Sequence, residues 1–140
     1  MGNEKMMEMV MHQTNSNLTA EQIAGQVEAA CQKFNLALLQ TYIYHDIVET
    51  KGFPIQRKVF VYNICQAKTA SMMLTSNPEF STFMPCTLSV YESGDKTILS
   101  TMNMEMMLEA VKANEELYNQ ASNLFESFKQ MMDELASGKR

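Results

Sequence analysis

A chain of 140 residues with 46% hydrophobic content is long enough for one domain with a true core and too apolar for wholesale disorder. Its formal net charge of -5 and pI near 5.0, with no cluster of Lys and Arg, argue against nucleic acid or anionic membrane as the main partner. No apolar run is long enough to span a bilayer, and MGNEKMMEMVMHQ lacks a basic region followed by a continuous apolar one, so the expectation is a single cytoplasmic domain over 1–140 with no membrane insertion.

Met7 to His12 alternates weakly and predicts a first strand, with Met7, Met9 and Met11 on one face. Thr19-Ala20-Glu21-Gln22 is a capping box, in which Thr19 serves the N–H of Gln22 and Gln22 reaches back to Thr19. Leu18 and Ile23 suit the accompanying hydrophobic staple. Ile23, Val27, Ala30, Cys31 and Phe34 fall on one stripe of a helix predicted to end near Asn35. Leu36 to Val48, rich in β-branched and aromatic residues, predicts a long strand, and Gly52-Phe53-Pro54 breaks the pattern before a strand over Lys58 to Cys65.

Ala67 to Thr75 predicts a short helix, and Pro78 suits the first position of the next one. Pro85 stops that segment. Cys86 to Tyr91 then alternates Cys86, Leu88, Val90 against Thr87, Ser89, Tyr91, and Ser93-Gly94-Asp95 turns the chain into a strand over Thr97 to Met102. From about Asn103 onward, Leu108, Val111, Tyr118, Ala121, Phe125, Phe128, Met132 and Leu135 recur at helical steps. One helix of that extent would be roughly 50 Å long, so its far half would need another surface, most simply a second copy of the chain. The order β-α-β-β-α-β-β-α is that of an α+β fold with an antiparallel-type sheet, helices on one face and a long C-terminal helix.

The stretch VFVYNICQAKTASMMLTSNPEFSTFMPCTLSVYESGDKTILST, ending at Thr101, resembles the family catalogued as domain of unknown function 302. The resemblance extends over nearly the whole chain and is most specific at Tyr62-Asn63-Ile64-Cys65 and at Pro85-Cys86 through Val90-Tyr91-Glu92. It implies a small α+β domain that commonly pairs into homodimers, and a family with no agreed activity. The extended C-terminal helix and the 14 methionines depart from it.

Three constellations could carry chemistry. Cys65 closes a strand just ahead of a helix, where unpaired N–H groups can lower a thiol pKa, and Cys86 opens the next strand. On antiparallel neighbours the two sulfurs could form a disulfide or hold a soft metal such as Cu(I), whereas ordinary packing would make both small buried hydrophobes. Three scattered cysteines and two histidines supply neither a disulfide framework nor a tetrahedral zinc site. Methionines cluster at Met6, Met7, Met9, Met11 and again at Met102, Met104, Met106, Met107. Such thioethers suit Cu(I) and equally suit adaptable core filling.

The third constellation is a sheet face. Strand parity puts Val61, Leu88 and Val90 under the helices and collects His12, Tyr42, Tyr44, Phe60, Tyr62 and Tyr91 on the opposite side. Such a face suits a subunit interface or a flat ligand such as haem. His45 and Asp46, adjacent on a strand, would point to opposite faces and form no catalytic dyad. A phosphate-cradling glycine loop, GxSxG, HExxH and paired carboxylates are all missing, which disfavours an ordinary hydrolase, kinase or dehydrogenase. The sequence thus points to a homo-oligomeric binding or accessory module, with the cofactor unassigned. The alternatives are a thiol redox or Cu(I)-handling protein using Cys65 and Cys86, and a structural partner assembled through the C-terminal helix.

Overall fold

A computed structural model describes residues 2–138. Its centre is a five-stranded antiparallel sheet of β1 (Met11–Ser16), β2 (Ala37–Ile43), β3 (Val59–Cys65), β4 (Cys86–Ser93) and β5 (Lys96–Met102), in the order β1-β5-β4-β3-β2. The last strand in sequence therefore pairs with the first, and β1 and β2 are the edges. β4 and β5 are joined by a tight turn in which Gly94 has φ +61°, a left-handed conformation that glycine adopts without steric cost. The α+β order, the single antiparallel sheet and the C-terminal helix agree with expectation.

Two short helices, α2 (Ala20–Ala24) and α3 (Val27–Lys33), follow β1. Both capping-box bonds are formed: the Gln22 N–H donates to the Thr19 hydroxyl at 3.1 Å, and the Thr19 N–H donates to the Gln22 carbonyl oxygen at 2.9 Å. The single helix expected here is interrupted at Gly25 and Gln26, and Asn35, with φ 58°, ends the segment in the left-handed region that asparagine tolerates.

Three further expectations are corrected. The proposed strand at Met7 is the end of a helix, α1 (Asn3–Val10), and β1 begins at Met11. Met6, Met7, Met9 and Val10 are all about half exposed, so no buried face imposes alternation, and methionine's good helix propensity decides. The long second strand stops at Ile43, and Tyr44–Thr50 forms α4. There the His45 imidazole Nδ1 accepts the Val59 N–H at 2.9 Å and the ring meets the Phe60 ring edge-on at 5.2 Å, contacts that hold the chain turned at the end of the β2–β3 ladder.

The third correction concerns the C-terminus. The expected continuous helix is two: α6 (Glu105–Ala110) and α7 (Glu115–Ser137). Asn114 caps α7 by accepting the Leu117 N–H at 3.2 Å, with Glu115 and Glu116 favourably placed in its first turn. At 23 residues α7 is about 35 Å long. It is buried along its whole length, from Leu117 through Leu124, Phe128 and Met131 to Leu135, so no half of it projects in search of another copy.

The core lies between one sheet face and the helices α2, α3 and α7. Leu88, Val90 and Leu99 from the sheet meet Ile23, Val27, Phe128, Met131 and Met132, all essentially inaccessible. Among the described residues no helix is long and apolar enough to cross a membrane.

Candidate functional site

β3 ends at Cys65, and after Gln66 the chain enters α5 (Ala67–Ser76), then a 3-10 helix (Pro78–Phe83), and returns through Met84 and Pro85 to open β4 at Cys86. This loop of helix does not close tightly on the sheet. Between α5, the 3-10 helix, α6 and the first half of α7 it leaves an apolar cavity of about 300 Å³. Ile64, Ala70, Leu108, Ala121 and Leu124 form part of its wall.

Sulfur supplies much of the rest. Cys65 and Cys86 both line the cavity, with thioethers from Met73 on α5, Met84 before β4, Met102 at the end of β5, and Met104 and Met107 at and within α6. Met73 and Met104 are buried, and the other five sulfur residues are partly buried. β3 and β4 are antiparallel neighbours with Ile64 opposite Cys86, so Cys65 is one step out of register with Cys86. Both thiols are free. Burial, reinforced by the neighbouring Cys65, pushes the Cys86 thiol up to about 11, so it is neutral at physiological pH.

One edge of the cavity is polar. The Thr69 hydroxyl donates to the Gln66 side-chain oxygen, and the Gln120 amide lies 3.3 Å from both that oxygen and the Thr69 hydroxyl. Gln66 and Thr69 line the cavity.

The aromatic face predicted by parity is not one face. Tyr62 pairs with Leu88 and Phe60 with Val90, so these aromatics point under the helices alongside the aliphatics. His12 lies in the same cross-strand row as Thr101, Leu88 and Tyr62, and its ring meets Phe125 of α7 edge-on at 6.1 Å. Tyr42 and Tyr91 are on the other side, and Tyr44 is the exposed first residue of α4, 6.1 Å from the Tyr42 ring. In this orientation the large rings of Phe60 and Tyr62 bury more apolar area than Val59 and Val61 would.

With this geometry in view, the family model described as "Domain of unknown function DUF302" matches residues 12–135. The chain belongs to this family. No curated protein matches it. The crystal structure of the uncharacterized conserved protein DUF302 from Bacillus stearothermophilus is similar in fold, with a TM-score of 0.74 at 17% identity, over 88% of this chain and 95% of that one.

Within this DUF302 fold, the third cysteine stands apart. Cys31 is buried in α3 among core residues, where burial, aided by Glu28, raises its thiol to about 11. Met6, Met7 and Met9 do not join the sulfur-lined wall, and Met106, 72% exposed, turns away from it. Sequence reasoning singled out Met102, Met104 and Met107 but not Met73 and Met84. The only signal for these two was their proximity along the chain to the Cys65 and Cys86 strand ends.

Proposed function

We propose that this DUF302 protein is a binding module rather than a stand-alone catalyst, and that its site is the sulfur-lined cavity at the end of β3 and β4. The observation that carries this reading is a volume of about 300 Å³, at the small end of the range for ligand sites, walled by apolar and soft side chains with polar groups confined to the Gln66–Thr69–Gln120 edge. Such a site favours a small ligand that needs few hydrogen bonds. A flat ligand such as haem on the sheet surface has less support, because Phe60 and Tyr62 are taken up by the core and the His12 ring packs edge-on against Phe125.

Native mass spectrometry of the full chain, compared with its denatured mass, tests the reading. We expect added mass in the native spectrum alone, or uptake by the bare protein of anilinonaphthalene sulfonate, an amphiphilic fluorescent probe whose rings seek apolar sites. Ala70→Phe, which projects a ring into the cavity, should abolish either signal. Binding unchanged in Ala70→Phe would move the site elsewhere.

A second reading concerns assembly. The sheet face away from the helices carries a row that crosses all five strands: Gln13, Ser100, Ser89, Val61 and Tyr42. Val61, Ser89 and Tyr42 are partly buried, and Tyr91 accepts a hydrogen bond from the Gln13 amide at 3.1 Å. A flat face of small, apolar and phenolic groups supports pairing of two copies sheet to sheet, and replaces the C-terminal helix as the surface for a homodimer.

A further inference from the structure

Resting on the cavity as the ligand site, we infer that its ligand is a soft monovalent metal ion, Cu(I), bound through Cys65 or Cys86 with thioether donors drawn from Met73, Met84, Met102, Met104 and Met107. Four separate segments, at residues 65, 73, 84–86 and 102–107, bring seven sulfur side chains to one small volume. Five of the chain's 14 methionines are there, as are two of its three cysteines.

The donor chemistry discriminates among metals. No carboxylate or imidazole lines the cavity, and among the described residues no cluster of three or more His, Cys, Asp or Glu side chains could hold a metal. Hard oxygen-seeking cations therefore find no carboxylate ligand, and zinc lacks its usual four nitrogen or thiolate donors. Thiolate and thioether together select Cu(I). Packing alone accounts for the methionines less well. Flexible thioethers are the side chains best able to close a gap, yet five of them border a volume that stays open at about 300 Å³.

Charge balance fits as well. One thiol gives up its proton to solvent as the ion binds, so Cu⁺ and one thiolate form a neutral unit, and neutral thioethers complete the coordination. A neutral complex is the species an apolar cavity accepts at least cost. No electron is transferred, and the metal remains Cu(I) throughout.

The test uses the full-length protein under anaerobic, reducing conditions, titrated against Cu(I) held by the coloured chelator bicinchoninate. One equivalent should be withdrawn by the wild type. The Cys65→Ser/Cys86→Ser double variant should bind more than about a hundredfold more weakly, beyond the range for outer-shell changes. Met104→Leu/Met107→Leu, which conserves volume, should lose about tenfold while its unfolding midpoint changes little. Cys31→Ser should withdraw copper as the wild type does.

Failure of the wild type to take copper from the chelator would overturn the inference, as would undiminished binding by the double-serine variant. If copper is refused but anilinonaphthalene sulfonate still binds and Ala70→Phe still blocks it, the binding-module reading stands with a different ligand. Refusal of both probes would remove the two together.

Discussion

The Ser16 hydroxyl at the end of the edge strand β1 donates to the Ala136 carbonyl oxygen in the last turn of α7, at 2.6 Å, and accepts the Leu18 N–H at 3.0 Å. The final carbonyls of a helix have no partner within it. This hydroxyl, buried and 120 residues away in sequence, supplies one of them, while Gly138 in a left-handed conformation ends the helix by donating to the Glu134 carbonyl. Ser16→Ala leaves both the Leu18 N–H and the Ala136 carbonyl without that partner. A loss of about 1–3 kcal/mol is expected in urea unfolding, with an unchanged denaturant slope. A loss under about 0.5 kcal/mol would mean that solvent replaces the serine at no cost.

The same end of α7 separates packing from surface charge. Phe128 is 1% exposed at the centre of the core, so Phe128→Ala should cost about 3–5 kcal/mol. Lys33 and Glu134 form a 2.6 Å ion pair, but both are substantially solvated, so Lys33→Ala should cost less than about 1 kcal/mol and become cheaper still at high salt. Thermal or urea unfolding of the two variants gives the comparison directly. Equal losses would show that the ion pair anchors the helix far more firmly than its exposure implies.

Alkaline conditions should destabilise the fold. Burial raises Cys31 from 9.0 to about 11 and Tyr62 from 10.0 to about 12, the second also through its proximity to Cys31. Folding thus keeps protons that the unfolded chain releases. Stability is intact below about pH 9 and falls as the pH rises towards 11, with a limiting slope of about 1.4 kcal/mol per pH unit for each proton retained. Urea midpoints between pH 8 and 11 should decline, and Cys31→Ala should flatten the decline while lowering the midpoint at pH 8. An equally steep decline in that variant would assign the effect to Tyr62 and Cys86.

Local signals were legible where short-range chemistry decides. The Thr19–Gln22 box, the left-handed Gly94, and the β3, β4 and β5 segments all follow from residues a few positions apart. The Asn114 cap was also written locally, in Asn-Glu-Glu ahead of Leu117, but the apolar stripe running through it masked the break. Which face of β3 is inside was not legible. Phe60, Tyr62 and Ile64 alternate with Val59, Val61 and Cys65, so both sets are apolar enough to be buried, and only the register against Leu88 and Val90 decides. The cavity was beyond sequence reading for another reason: its sulfur side chains come from four segments that meet only when β3, β4 and β5 pair and α5 folds back over their ends.

Because α7 is buried along its whole length, assembly has to be tested on the sheet rather than on the helix. Truncation after Gln120 would delete Leu124, Phe125, Phe128, Met131, Met132 and Leu135, all core residues, so it would unfold the chain whether or not the chain dimerises. A change on the open sheet face separates the two effects. Val61 and Ser89 are cross-strand partners at the middle of that face, away from the helix-covered core. Val61→Lys combined with Ser89→Lys places two like charges directly opposite each other, which costs only a fraction of a kcal/mol in a solvated sheet but burdens a seam between two copies with four desolvated charges. Sedimentation should show the wild type as a dimer and this variant as a monomer, with nearly the same unfolding midpoint when compared at low protein concentration. A dimeric variant, or a monomeric wild type at tens of micromolar, would remove the sheet face as the seam.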